Sequence, residues 1–112
     1  MVIPATGAVI LAPFPFSDLS HAKLRPAVVL AAAGRGDWVL CQITSSPYAD
    51  PHAVELNVTD FASGALKFTS YARPGKLFTA NERLITAQVG VLKKEVTEQL
   101  VKAVVSILQA GL

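Results

Sequence analysis

Arg25 stands immediately before Pro26, where a polar stretch from Ser17 to Leu24 gives way to an apolar, β-branched run. Thr44 and Ser45 close a second apolar run that begins at Trp38. Between the runs lies Gly34-Arg35-Gly36-Asp37, which is turn chemistry, because glycine takes φ > 0 at no steric cost. If the two runs pair around that turn, residues whose numbers sum to about 70 oppose each other, and Arg25 faces roughly residue 45. A guanidinium and two hydroxyls then converge at one end of a rigid hairpin, beside His21 and Lys23 on the preceding loop. Such a group binds phosphate, the arginine by a bidentate fork and the hydroxyls by single hydrogen bonds. The same residues also suit a solvated strand edge, and pattern alone leaves both readings open.

Other chemistries lack their residues. A zinc site needs cysteine and histidine ligands clustered at short spacing, whereas Cys41, His21 and His52 are isolated, and no group of carboxylates suggests a magnesium site. There is no GxxxxGK[ST] segment, and Gly34-Arg35-Gly36 lacks the third glycine of a dinucleotide-binding turn. Cys41 sits within an apolar run and reads as a buried structural thiol rather than a nucleophile. Neither a metal nor a cofactor is expected.

The elements that must hold Arg25 and Thr44 are short strands. Ala8 to Phe14 is an apolar run after Gly7, Ala27 to Ala33 is a buried central strand, and Trp38 to Thr44 is its partner. Ser45 to Pro51 is a loop. Val54, Leu56 and Val58 alternate with polar residues, the period of a half-buried strand. Thr59 to Gly64 suits one helical turn closed by glycine. Leu66 to Phe68, Lys76 to Thr79 and Leu84 to Val91 supply further strands, with Pro74-Gly75 as a turn. The period then changes: Leu92, Val96, Leu100, Val104, Ile107 and Leu108 recur at spacings of four and three, which is an amphipathic helix stopped near Gly111. The expected architecture is a mainly β fold, a small barrel with a C-terminal α-helix, in one domain spanning residues 1–112.

Composition narrows the class further. With 112 residues, 52% of them hydrophobic and 16% charged, the chain is neither disordered nor a charged nucleic-acid tail. The net charge of +2 is too mild to diagnose nucleic-acid binding by itself. No run of about 20 apolar residues is present, so no membrane partner is expected. The mean hydropathy of +0.45 therefore points to a protein interface, most simply a homodimer. A single cysteine excludes an internal disulfide and fits a reducing cytoplasm.

Three segments together resemble a known family. Gly7-Ala8-Val9-Ile10-Leu11-Ala12-Pro13-Phe14-Pro15-Phe16-Ser17-Asp18, Lys23-Leu24-Arg25-Pro26-Ala27-Val28-Val29-Leu30 and Val39-Leu40-Cys41-Gln42-Ile43-Thr44-Ser45 are similar to the MazF/PemK (Kid) toxins, as is Tyr71 to Thr79 with the closing helix. The resemblance implies an SH3-like small barrel, a homodimer, and a metal-independent, sequence-selective endoribonuclease acting on single-stranded mRNA. It also implies a cognate antitoxin lying over the RNA groove. Chemistry in such enzymes begins with attack of the 2′-hydroxyl on the adjacent phosphorus.

By the same resemblance, Arg25 and Thr44 are the catalytic pair. Arg25 would neutralise charge on the phosphorane and Thr44 would donate a hydrogen bond to a non-bridging oxygen. Proton transfer by Arg25 is the other role suggested for the family's arginine, but a guanidinium is a poor base in water, which favours the electrostatic role. His21 has the ionisation range of a general acid for the leaving group, and is otherwise a solvated loop residue. Lys23, Ser45, Arg73 and Lys76 are candidate RNA contacts. Phe16, Tyr48 and Phe68 are candidates for base stacking, or for core and interface positions. The sequence departs from the family at Ala8, where many members carry aspartate, and at Gly75-Lys76, where many carry an acidic residue and a glutamine. The alternative is a binding module of the same fold, like the gyrase poison CcdB, which holds a protein partner and does not need the Arg25–Thr44 pair.

Overall fold

The computed structural model describes residues 2–14 and 23–112. Seven strands form one antiparallel sheet: β1 (Ala8–Pro13), β2 (Leu24–Gly34), β3 (Asp37–Thr44), β4 (Val54–Leu56), β5 (Phe61–Gly64), β6 (Ser70–Asn81) and β7 (Ala87–Leu92). A single helix, α1 (Lys94–Gln109), closes the chain. The strand order is β4-β6-β3-β2-β1-β7-β5, so the sheet curls into a half-barrel with β2 and its two neighbours at the centre. This is the mainly β architecture with a C-terminal helix that the sequence predicts. No helix among the described residues is long and apolar enough to cross a membrane.

The apolar run in β2 is explained by burial on both faces over Ala27–Leu30, whereas Ala31, Ala32 and Ala33 beyond it are exposed, so the strand expected to be buried over Ala27 to Ala33 is buried only in its first half. Val28 and Leu30 point to one side, into a cluster with Cys41, Ile43, Leu56, Phe61, Leu92 and, from α1, Val96 and Leu100. Ala27 and Val29 point to the other, against Ala8, Ile10, Ala12, Phe14, Leu40, Ala80 and Ile85. A strand of alternating side chains that meets hydrophobic neighbours on both faces has no polar positions to show. Helix α1 lays Val96, Thr97 and Leu100 against the sheet, while Leu108 is 67% exposed. Leu108 therefore leaves the stripe assigned to it from spacing.

Several expected elements differ. Pro74-Gly75 is not a turn between strands but lies inside continuous β6. There β6 advances from Ala72 to Leu77 while β3 moves only from Ile43 to Cys41, so three extra residues bulge out of the ladder. A bulge accommodates proline because the ladder is already interrupted there. Leu66 to Phe68 is a connection rather than a strand. Thr59 to Gly64 divides into a 3-10 turn over Val58–Asp60 and then β5; the same turn takes Val58 out of the alternating strand. Likewise Leu84 ends a 3-10 turn, Glu82–Leu84, and β7 begins only at Ala87.

Candidate functional site

The β2–β3 hairpin builds the site. Its paired residue numbers sum to 69 at Ala27↔Gln42, Val28↔Cys41 and Val29↔Leu40. Continued two residues, the same register sets Arg25 opposite Thr44, and directly opposed residues share a face of the sheet. Bulges after Val29 and after Ala32 absorb the difference from the simple turn-centred register. Both Arg25 and Thr44 line an open cleft of about 460 Å³, together with Lys23, Ser45, Tyr48, Lys67 and Phe68. Its floor is apolar, formed in part by Leu11, Pro26, Ile43 and Leu66.

Thr44 is held by its own loop. The Ser46 backbone N–H donates to Thr44 Oγ1 at 3.2 Å, which occupies an acceptor position and leaves the hydroxyl proton available to donate. On the next strand Thr44 pairs with Tyr71, whose hydroxyl meets Glu55 Oε1 at 3.5 Å. Arg25 is exposed at the start of β2, paired with Ala12 of β1. An exposed arginine fork and an oriented hydroxyl at the end of a rigid hairpin can grip the oxygens of one phosphate. Two residues before Thr44 on β3, Gln42 Oε1 is buried without a hydrogen-bond partner among the described residues, and Gln42 does not line the cleft.

The other candidates fall into three groups. Lys23 and Ser45 stand exposed in the same cleft as Arg25 and Thr44. Arg73 and Lys76 do not line it: Lys76 is exposed in the β6 bulge, and Arg73 Nε donates to Asp50 Oδ2 at 2.9 Å. That hydrogen bond, reinforced by the His52 backbone N–H on Oδ1 at 2.9 Å, holds the Asp50 carboxyl below the usual carboxylate range. His21 and Phe16 lie outside the described residues. The sequence reading missed Lys67, a lone basic residue in an apolar stretch, whose ammonium sits 5.9 Å from the Phe68 ring centroid. Only charge and an exposed aromatic side by side could have signalled it.

Cys41 is excluded from nucleophilic work. It is fully buried, its Sγ lies 3.2 Å from the Arg73 carbonyl oxygen, and burial pushes the thiol up to about 12. Thiolate is the reactive form, so native protein at pH 8 will resist iodoacetamide for hours, while guanidinium-unfolded protein is alkylated within minutes. Intact-mass spectrometry distinguishes the two.

Residues 5–108 match the family described as "PemK-like, MazF-like toxin of type II toxin-antitoxin system". Among solved structures, the chain is similar to MazF from Deinococcus radiodurans at 20% identity, covering 96% of this chain and 98% of that one with a TM-score of 0.76. A MazE–MazF structure from the same organism gives 20% identity, coverages of 96% and 97%, and a TM-score of 0.76. An endoribonuclease in complex with its cognate antitoxin, from a mycobacterial species, gives 16% identity, 94% coverage of each chain and a TM-score of 0.72. At these identities the likeness is one of fold. No curated protein sequence matches the chain significantly.

Proposed function

The chain belongs to the PemK-like, MazF-like toxin family of type II toxin–antitoxin systems, and from that premise we propose that it is a metal-independent, sequence-selective endoribonuclease acting on single-stranded mRNA in the cytoplasm. The observation that carries the reading is the convergence of Arg25 and Thr44 in one open cleft. The endoribonuclease and antitoxin named for the mycobacterial relative support the reaction class and a cognate antitoxin as partner. A homodimer accounts for the chain's high mean hydropathy.

In the reaction, the 2′-oxygen of one nucleotide attacks the adjacent phosphorus. The O2′–P bond forms and the P–O5′ bond breaks, leaving a 2′,3′-cyclic phosphate and a 5′-hydroxyl. One proton leaves O2′ and one arrives at O5′, so no co-reactant is consumed. Arg25 offsets the negative charge that accumulates on the non-bridging oxygens, and Thr44 donates to one of them. Lys23 and Ser45 hold flanking phosphates from the same cleft. Lys76 extends the positive surface along β6, Arg73 being neutralised by its pairing with Asp50, and His21 supplies the leaving-group proton. Single-stranded RNA fits because in-line attack by the 2′-hydroxyl needs a flexible backbone and base recognition needs unstacked bases.

Purified protein incubated with a long single-stranded RNA in excess EDTA tests the reading. Discrete cuts with 5′-hydroxyl ends, absent from the Arg25→Ala variant, are expected. Intact RNA with folded dimeric protein would instead indicate a module that acts by holding a protein partner such as gyrase.

A further inference from the structure

The loop that follows Thr44 is fixed more firmly than a connection needs. Tyr48 and Ala49 are both non-glycine residues with positive φ, 51° and 57°, a conformation that persists only where the surroundings over-determine it. The surroundings are visible. The Asp50 N–H donates to the Pro47 carbonyl at 2.8 Å. The Asp50 carboxylate takes the His52 N–H on one oxygen and Arg73 Nε on the other. That ion pair is largely shielded, with 19% of the arginine side chain and 10% of the aspartate side chain exposed. The guanidinium so anchored lies 5.6 Å from the Tyr48 ring centroid, within the range of a cation–π contact.

The result is a tyrosine ring held in place yet 70% exposed. It forms part of the wall of the cleft that contains Arg25 and Thr44. An aromatic side chain offered to water in a concave site that also holds a few polar groups is an anchor for a ligand rather than for the core. Along a single nucleic-acid strand, phosphates and bases alternate, so a site that grips a phosphate has a base beside it. An aromatic face next to cationic and hydroxyl groups is the arrangement that binds single strands.

We propose that the Asp50–Arg73 ion pair is a positioning device that presents Tyr48 as the stacking platform for a base adjoining the phosphate held by Arg25 and Thr44. The proposal rests on the endoribonuclease reading and deepens it. Tyr48 supplies binding through its ring, not its hydroxyl. Arg73 acts on the RNA through Tyr48, and Asp50 acts through Arg73.

The test is steady-state cleavage of a short single-stranded RNA holding one cut site, with a matched series in which one nucleotide on either side of the cut is abasic. Stacking on an aromatic side chain strengthens binding by roughly tenfold or more. Tyr48→Ala is therefore expected to raise KM about tenfold with kcat within threefold of wild type, and Tyr48→Phe to restore wild-type values. Asp50→Asn is expected to raise KM severalfold at unchanged kcat. One abasic substrate should lose about the same factor with wild-type enzyme and nothing more with Tyr48→Ala. A KM for Tyr48→Ala within twofold of wild type overturns the proposal. So does failure of Tyr48→Phe to rescue, or an abasic penalty that multiplies with the Tyr48→Ala penalty. Wild-type protein that leaves the RNA uncut would overturn the endoribonuclease reading itself, a separate outcome. Circular dichroism of each variant separates these losses from unfolding.

Discussion

Replacing Arg25 by alanine will lower the single-turnover rate of RNA cleavage by about a thousandfold while leaving the fold intact. Arg25 is exposed at the start of β2, so its removal uncovers little apolar surface, and substitutions of that kind stay within about 0.5 kcal/mol of wild type. The catalytic effect is large for a different reason. Charge on the non-bridging oxygens rises toward the phosphorane, and a fixed cation there binds the transition state more tightly than the ground state. Loss of one preorganised donor of this type costs about 10²–10³ in rate, and the guanidinium supplies two donors together with the charge. Arg25→Lys should recover only part of the loss, because an ammonium keeps the charge but not the planar fork. Quench-flow rates on a single-site RNA, beside thermal melts, provide the check. An Arg25→Ala rate within tenfold of wild type would remove this residue from the mechanism.

The largest expected effect on stability lies in β5, just before the Leu66–Phe68 segment that lines the cleft. Gly64 and Gly90 face each other across β5 and β7. A Cβ on Gly64 would collide with the Val89 carbonyl oxygen and would stand 2.6 Å from Gly90 Cα, and Gly64 itself has φ +67°. Gly90 is equally tight, with the Phe61 ring and the Ser63 carbonyl 2.9 Å from a Cβ placed there. Gly64→Ala therefore meets backbone, which cannot swing aside as a side chain can, and takes on a left-handed conformation unfavourable to alanine. Relief requires β5 to leave β7, which strips cover from the buried Phe61. A loss of about 3 kcal/mol or more is expected, with Tm falling by roughly 10 °C or more. Gly111→Ala, which meets no atom within 4 Å, should change Tm by less than about 2 °C. Calorimetry of the two variants side by side decides the matter; equal melting temperatures would show that the β5 edge yields freely.

The hairpin was legible because its information is local. Turn residues between two apolar runs place the register to within one position, and the remaining offset comes from bulges that no residue type announces. Period-four spacing likewise marked the helix, though it could not separate Ile107, which approaches Gly75 in β6, from exposed Leu108. Pro74-Gly75 misled because the pair carries the same turn signature whether the chain reverses or merely bulges. Leu66 to Phe68 misled in the opposite way. Its composition favours a strand, yet Lys67 and Phe68 face the cleft, and strand propensity expresses neighbours more than backbone preference. The tie between Asp50 and Arg73 spans 23 residues and leaves no periodic trace, so the arrangement of Tyr48 could emerge only from the folded chain.

The placement of β1 between β2 and β7 also governs when this protein becomes whole. β1 gains its first partner early, from the β2 strand that follows it, but its second edge stays open until Ala87–Leu92 has been synthesised. β3 waits similarly for β6. Pairings this distant along the chain make closure slow, in the range of milliseconds to seconds for small β domains. Trp38, the single tryptophan, bonds Glu82 Oε2 through its indole N–H at 3.1 Å, and so reports on that distant closure in stopped-flow fluorescence; submillisecond single-phase refolding would contradict this order of events. A nascent chain that has just emerged through β3 carries Arg25, Thr44 and β1, but it lacks β6, which flanks the hairpin on the β3 side, and β7, which covers the outer edge of β1. The timing of translation thus separates possession of the two cleft residues from possession of the scaffold.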